Sequence, residues 1–257
     1  MRKMSSLPQR LFTGIPVVSA RPSAVVTHLM ETALSSDSQG CDVHLLELNG
    51  VAVAEREPVF ENLLKSAGLV LPDGRWLELL TARTSAPLHQ FRGEDLFRTL
   101  CDRGRTRGLR HFFVGTTSEH LQSLTEQLER LYPGMQAAGR FAPPFRDMTD
   151  GELGNLTSEI SASKAHIVWI GMSTPRQDYV AQSLANSSGT VVIAVGAAFD
   201  FVSGAKHAAP PWMTRGGIEW VFRLASEPGR LWKRYLVGGV LFGRRVFRFR
   251  NIDLPLG

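Results

Sequence analysis

The chain has 257 residues, 43% of them apolar and 21% charged, with 29 Lys and Arg against 24 Asp and Glu. That length allows one large domain, or a domain with an appendage, and the apolar share excludes a globally disordered chain. Cys41 and Cys101 form no CxxC spacing and the seven histidines form no HxH or HExxH, so the sequence predicts free buried thiols in a reducing compartment and no metal site.

The opening segment MRKMSSLPQRLFTGIPVVSA is basic but lacks the apolar core of a secretory signal, and its first twenty or so residues are expected to be flexible. A strand follows at DVHLLELN (42–49), then a helix-like EPVFENLLKSA. The next strand, GLVLP (68–72), runs straight into Asp73-Gly74 and a helix-like RWLELL. Asp-Gly is a common turn pair, yet strand exits in α/β proteins also line the ligand crevice, where a lone carboxylate serves as a general base. Both readings stay open on this stretch.

Amphipathic GEDLFRTLCDRGRTRG leads to a strand at LRHFFVG (109–115) and to VGTTSEH (114–120). Thr116, Thr117 and Ser118 there have the composition of a helix cap, whose free N–H groups can also meet an anion. Neither GxGxxG after the first strand nor GxxxxGK[ST] is present. In SEHLQSLTEQLERLYPG, Leu121, Leu124, Leu128 and Leu131 form a helical stripe that ends at YPG. MQAAGRF (135–141) reads as a strand, GELGNLTSEISAS as a helix and HIVWIGM (166–172) as a strand. In GMSTPRQDYV (171–180), Gly171 permits close backbone approach, Pro175 suits a first helical turn and Gln177 stands at the mouth of the crevice. TVVIAVG (190–196) is the last strand. These runs lack strict alternation, as strands covered on both faces do, so the order predicts a mostly parallel, Rossmann-like α/β sheet with helices on both faces.

The basic excess is local. Residues 215–250 hold nine Lys/Arg and two Glu, while the rest of the chain holds 20 basic and 22 acidic residues. In RLWKRYL, Arg230, Lys233 and Arg234 share one helical face and Trp232, Tyr235 and Leu236 the other. That is the pattern of a helix lying on a membrane surface. Residues 1–214 are therefore expected to form the Rossmann-like domain, the catalytic one if the chain is an enzyme, and 215–257 a membrane-associating, basic amphipathic helical appendage. No run reaches the roughly 20 apolar residues that span a bilayer.

The C-terminal motifs identify a family. Val195, Gly196, Phe199, Asp200 and Phe201 match a V-G-x-x-F-D-F run; Glu219-Trp220, Arg223-Leu224, Glu227-Pro228, Arg230 and Arg234-Tyr235 match a tail signature. With Asp73-Gly74, with Gly93, Asp95 and Leu96 (one residue longer than G-D-L), and with Pro175, Gln177 and Asp178 (Asp for the Glu of P-x-Q-E), the chain resembles the WecG/TagA/CpsF bacterial glycosyltransferases over residues 40–245. The resemblance implies an inverting, metal-independent glycosyl transfer without cofactor, from a UDP-sugar to a polyprenyl-diphosphate-linked sugar. It places the enzyme peripherally at the cytoplasmic face of a bacterial inner membrane and admits a homo-oligomer. Asp73 is then the base. Asn49, Glu47, Arg92, Gln177, Gly171, Gly196 and Asp200 contact substrate, and Arg223, Arg230 and Arg234 meet the diphosphate.

Departures from the pattern are Glu47 where a Thr is usual before Asn49, Gln90 at a usual arginine, and Ala208 in place of the arginine of R-A-P. Glu47 favours a hexosyltransferase of exopolysaccharide assembly, with an N-acetylmannosaminyltransferase or an inactive membrane scaffold as alternatives. A nucleic-acid-binding module is the rival from another class, disfavoured because the basic residues are confined to the tail and no nucleic-acid motif is present.

Overall fold

All six strands expected from the sequence form, and every pair among them is parallel. In the computed structural model, whose described residues are 7–35, 40–205, 210, 213, 219–249 and 255–256, they are β3 (Cys41–Leu46), β4 (Leu69–Pro72), β5 (Arg110–Gly115), β6 (Gln136–Phe141), β7 (Ile167–Gly171) and β8 (Val191–Ala194). Their order across the sheet is β4-β3-β8-β7-β5-β6. Every residue of β3, β4 and β8 is buried, which is why β4 and β8 read as continuous apolar runs.

Alternate residues of the inner strands feed two cores. Val43, Leu45, Phe113, Trp169 and Ile193 pack under α1 (Pro22–Leu34), α5 (Gly93–Gly104), α6 (Ser118–Leu131) and α9 (Ala198–Val202). Phe112, Val114, Val168, Ile170 and Val192 pack under α7 (Asp150–Ser163) and α8 (Arg176–Ser188). The leucine stripe of α6 buries Leu121, Leu124 and Leu128, while Leu131 is 42% exposed because the helix ends there.

The chain from β5 moves outward to β6, whereas the chain from β7 moves inward to β8. Their carboxyl ends therefore bound a topological switch point, the place where open α/β sheets hold ligands. The strands meet closely there. A Cβ on Gly115 (φ 144°) would lie 2.4 Å from the Gly171 carbonyl oxygen, and one on Gly171 would lie 2.3 Å from the Phe199 ring.

Several elements escaped the sequence reading, α1, α9 and an N-terminal hairpin among them. Where a flexible leader was expected, β1 (Gln9–Phe12) and β2 (Ile15–Val18) form an antiparallel hairpin whose Phe12, Ile15, Val17 and Val18 are buried. Residues 1–6 lie outside the described residues. Arg10 is 2% exposed; its guanidinium donates to Thr84 Oγ1 and, at 2.7 Å, to the Ala86 carbonyl, tying the hairpin to the loop before α5. A short β9 (Pro255–Leu256) extends this sheet.

The long C-terminal helix (Pro228–Phe249) follows a short helix, Glu219–Ser226, and packs on α2 (Leu48–Ala54) and on the turn of the hairpin. Its Phe242 joins the core formed by Phe12, Val17, Leu46, Phe60 and Leu77. Arg245, fully buried, fastens it: Nε and Nη2 donate to the Thr13 carbonyl at 3.2 and 2.9 Å, Nη1 to the Ala54 carbonyl at 3.0 Å, and Nη2 to Glu61 Oε1 at 2.7 Å. Glu55 adds a carboxylate 3.5 Å from Nη1.

A second buried polar cluster joins the sheet to α8. The His44 ring lies between two carboxylates, Nδ1 2.8 Å from Asp178 Oδ1 and Nε2 2.9 Å from Asp42 Oδ2. Asp42 also accepts from the Gly68 N–H at 2.8 Å. Burial alone would push the imidazole down, but hydrogen bonds and charge from Asp178 and Asp42 outweigh it and raise its pKa to about 9. Burial likewise pushes Asp42 up, but His44 and the Gly68 N–H hold it below its ordinary value.

Because the folded state binds this proton more tightly than the unfolded chain, whose histidine titrates near ~6.5, the cluster stabilises fully below that pH. The contribution is lost as pH rises toward 9. Chemical denaturation is expected to show stability falling between about pH 6.5 and 9, with a shallower slope in His44→Gln. Equal slopes in the two proteins would contradict the assignment.

Candidate active site

β4 ends at Pro72, and the backbone of the next residue is fixed on both sides. The Asp73 N–H donates to the Leu46 carbonyl at 2.8 Å, prolonging the β3–β4 ladder, while the Pro72 carbonyl accepts from the Phe91 N–H at 2.7 Å. Gly74 then adopts φ 90°, a conformation glycine takes without strain, and α4 (Arg75–Thr81) begins. A tight turn thus presents a half-buried carboxylate, so the turn and the site coincide.

Asp73 lines a cavity of about 660 Å³ across the carboxyl ends of the parallel strands. Glu47, Arg92, Gly171, Gln177, Gly196 and Asp200 line the same cavity, contributed by the exits of β3, β7 and β8 and by the starts of α5, α8 and α9. Asp73 and Gln177 therefore face one space. Asn49 does not line it. α2 begins at Leu48, which does, and each helical step turns about 100°, carrying the following residue off the cavity side. The side chains of Arg223, Arg230 and Arg234 lie outside the described residues, although their backbone stands in the last two helices and Tyr235 beside them reaches the cavity.

Gln177 is held by two hydrogen bonds within the protein. It is 4% exposed; its Oε1 accepts from the Gly196 N–H at 3.0 Å and its Nε2 donates to Thr174 Oγ1 at 3.2 Å. One side chain thus fastens the exit of β8 to the start of α8, leaving one amide hydrogen for a ligand. Asp178, beside it, anchors the same turn to His44.

Several lining residues escaped the sequence reading. Arg176, the first residue of α8, donates to the Pro144 carbonyl at 2.7 Å and to the Arg146 carbonyl, holding Phe145 from both sides. Arg146 forks onto Glu152 at 2.8 Å through each Nη, within the capping box of α7. Phe145 stands 88% exposed at the cavity. Trp76 and Tyr235 also line it, and Trp76, Leu79 and Leu80 of α4 are all close to half exposed. Arg75-Trp76 directly after Asp73-Gly74, and an arginine within P-x-Q-D, were the available signals.

Among the described residues no group of three or more His, Cys, Asp or Glu stands together as a metal-holding cluster, and Cys41 and Cys101 are free and buried. No helix of the described residues is long and apolar enough to cross a membrane. The site offers four carboxylates (Glu47, Asp73, Glu94 and Asp200), three arginines (Arg75, Arg92 and Arg176) and backbone N–H groups around a space of ligand size.

Comparison with known proteins bears on this arrangement. A family model described as glycosyl transferase WecG/TagA/CpsF family matches residues 10–253. The chain is 27% identical over 221 residues to an N-acetylglucosaminyldiphosphoundecaprenol N-acetyl-beta-D-mannosaminyltransferase of Bacillus spizizenii, covering 85% of this chain and 83% of the relative. Proteins of the same name from Bacillus subtilis and Staphylococcus aureus strain MW2 are 26% and 24% identical, covering 74% and 72% of this chain and 72% and 70% of the relatives.

Proposed function

The chain belongs to the WecG/TagA/CpsF family of glycosyltransferases, and from that premise we propose that it transfers N-acetylmannosamine from a UDP-linked donor to a lipid-diphosphate-linked N-acetylglucosamine at a membrane surface. The observation that carries the reading is the convergence of Asp73, Gln177, Arg92 and Asp200 on one cavity at the switch point of the sheet.

The acceptor hydroxyl attacks the anomeric carbon as the bond from that carbon to the UDP oxygen breaks. Asp73 takes the hydroxyl proton, and UDP leaves with the bonding electrons. Negative charge then develops on the diphosphate, where Arg92 and Arg176 supply guanidinium donors and the helices bearing Arg223, Arg230 and Arg234 add more. No protein-held metal is invoked.

The acceptor stays in the bilayer, so the protein must come to it. Trp232, Leu236, Val237, Val240 and Phe247 leave an exposed apolar stripe on the C-terminal helix, and α4 exposes Trp76, Leu79 and Leu80 next to Asp73. Tyr235 and Trp76 belong to the cavity as well, so both helices carry exposed apolar side chains toward its mouth. Together with the basic excess of residues 215–250, these surfaces suit peripheral contact with an anionic bilayer, at the cytoplasmic face where nucleotide sugars are held.

The sequence reading placed a hexose first, on the strength of Glu47. The relatives' names favour the N-acetylmannosaminyl alternative. Glu47 does line the cavity, so a donor screen includes both classes. Purified protein is incubated with vesicles containing lipid-diphosphate-linked N-acetylglucosamine and a panel of UDP-sugars, and released UDP is read. UDP release with UDP-N-acetylmannosamine, dependent on acceptor, is the expected result. Release with UDP-glucose or UDP-galactose alone would replace the proposed sugar, and release with no donor would overturn the transferase reading for this cavity.

A further inference from the structure

His120 lies in the first turn of α6, behind the cavity wall formed by Thr116 and Asp200, and touches both sides of that wall. Its Nε2 is 2.7 Å from Ser203 Oγ, its Nδ1 is 3.1 Å from Thr116 Oγ1, and Nδ1 is 3.9 Å from Asp200 Oδ1. The ring therefore bridges the exit of β5 to α9 across the end of β7.

One proton assignment for the neutral ring satisfies every contact around it. In it the Ser203 hydroxyl donates to the Asp200 carbonyl at 3.3 Å, and Ser203 Oγ accepts from Nε2–H. Nδ1 is then the acceptor, and the Thr116 hydroxyl donates to it. The left-handed Thr116 backbone (φ 46°) and the Thr117 cap, which accepts from the His120 N–H at 3.3 Å, hold this geometry in place. With its proton engaged, the Thr116 hydroxyl has only lone pairs to offer the cavity. That hydroxyl suits ligand O–H and N–H groups and disfavours phosphate.

Position in the sheet says which part of the donor reaches it. β4, carrying Asp73, and β5, carrying Thr116, are four strand steps apart, roughly 19 Å at about 4.8 Å per step. The transferred sugar must sit by Asp73, so the opposite end of the nucleotide sugar lies toward Thr116. We propose that His120 is a positioning residue that makes the Thr116 hydroxyl an acceptor for the nucleoside end of the donor, through the Thr116–His120–Ser203 bridge. The assignment rests on reading the cavity as a nucleotide-sugar site.

The test is calorimetric binding of UDP and of inorganic pyrophosphate to the full chain, with donor KM and kcat measured alongside. For His120→Ala, UDP affinity is expected to fall about tenfold, as for the loss of one good hydrogen-bonded contact. Pyrophosphate binding should stay within about twofold, donor KM should rise with kcat within about threefold, and the melting temperature should hold. His120→Gln, whose amide N–H can reach Ser203, should recover most of the loss, and Ser203→Ala should resemble His120→Ala. Equal weakening of UDP and pyrophosphate, or unchanged UDP affinity in His120→Ala, would overturn the assignment while leaving a wild type that turns over as a transferase. A wild type that binds neither UDP nor any UDP-sugar overturns the cavity reading and this assignment together.

Discussion

Asp73→Asn is expected to lower kcat by about 10²- to 10⁴-fold, the range by which a positioned base accelerates proton removal. Asparagine matches the carboxylate in size and keeps an acceptor oxygen, but it cannot take the acceptor's proton. The backbone that holds the position does not depend on the side chain: the Asp73 N–H to Leu46 bond, the Phe91 to Pro72 bond and the Gly74 turn all remain. Donor affinity by calorimetry is therefore expected to stay within about threefold while steady-state kcat collapses. A variant that keeps more than about a third of wild-type kcat would remove Asp73 from the role of base. Glu47, the other acidic side chain on the β3–β4 side of the cavity, would then be the carboxylate to test.

The largest expected loss of stability comes from the opposite end of the chain. Replacing Arg245 with methionine keeps much of its volume but leaves the Thr13 and Ala54 carbonyls without their guanidinium donor in a buried place, while Glu61 keeps Lys65 at 2.9 Å. Each buried carbonyl left without a donor costs about 1–3 kcal/mol, together on the order of 10 °C in melting temperature for a chain of this size. Lysine would restore charge but not the fork that reaches two carbonyls and a carboxylate at once, so Arg245→Lys should recover only part of the loss. Denaturant unfolding of the three proteins checks this ordering, and equal stability of wild type and Arg245→Met would contradict it. Because the same helix brings Tyr235 to the cavity, the methionine variant should also bind donor more weakly.

How much of this was legible in the sequence depended on how local the signal was. The inner strands were readable because they are short, doubly covered runs rich in apolar residues, bounded by helices with a leucine or mixed apolar stripe. The β1–β2 hairpin was not, since its strands carry Arg10 and Pro16 and its buried arginine reads as a surface residue. Arg245 misled in the same way: within a basic, amphipathic tail it looks like one more charge facing lipid, yet it is the fastening of that helix to the core.

At the site, Asp73 was legible from the strand-to-Asp-Gly transition, and Gln177 and Asp200 from family-like motifs. Their actual surroundings were not. Gln177 bonds Gly196, 19 residues away, and His44 bonds Asp178 across 134 residues of chain, contacts that no spacing in the sequence reveals. Asn49 falls outside the cavity lining because one residue decides which side of a new helix faces the cavity. His120 was hidden behind a run of Thr and Ser whose capping role, which Thr117 does perform, explained the stretch on its own.

The proposed reaction is a single displacement in which one carboxylate removes a proton as the leaving diphosphate departs. The configuration of the new glycosidic bond tests it most directly. With an α-configured UDP-sugar and the lipid-linked acceptor, nuclear magnetic resonance of the isolated glycolipid should show a β linkage, inverted by in-line attack. An α linkage would require a second, covalent displacement on the enzyme and would contradict a mechanism in which Asp73 acts only as base.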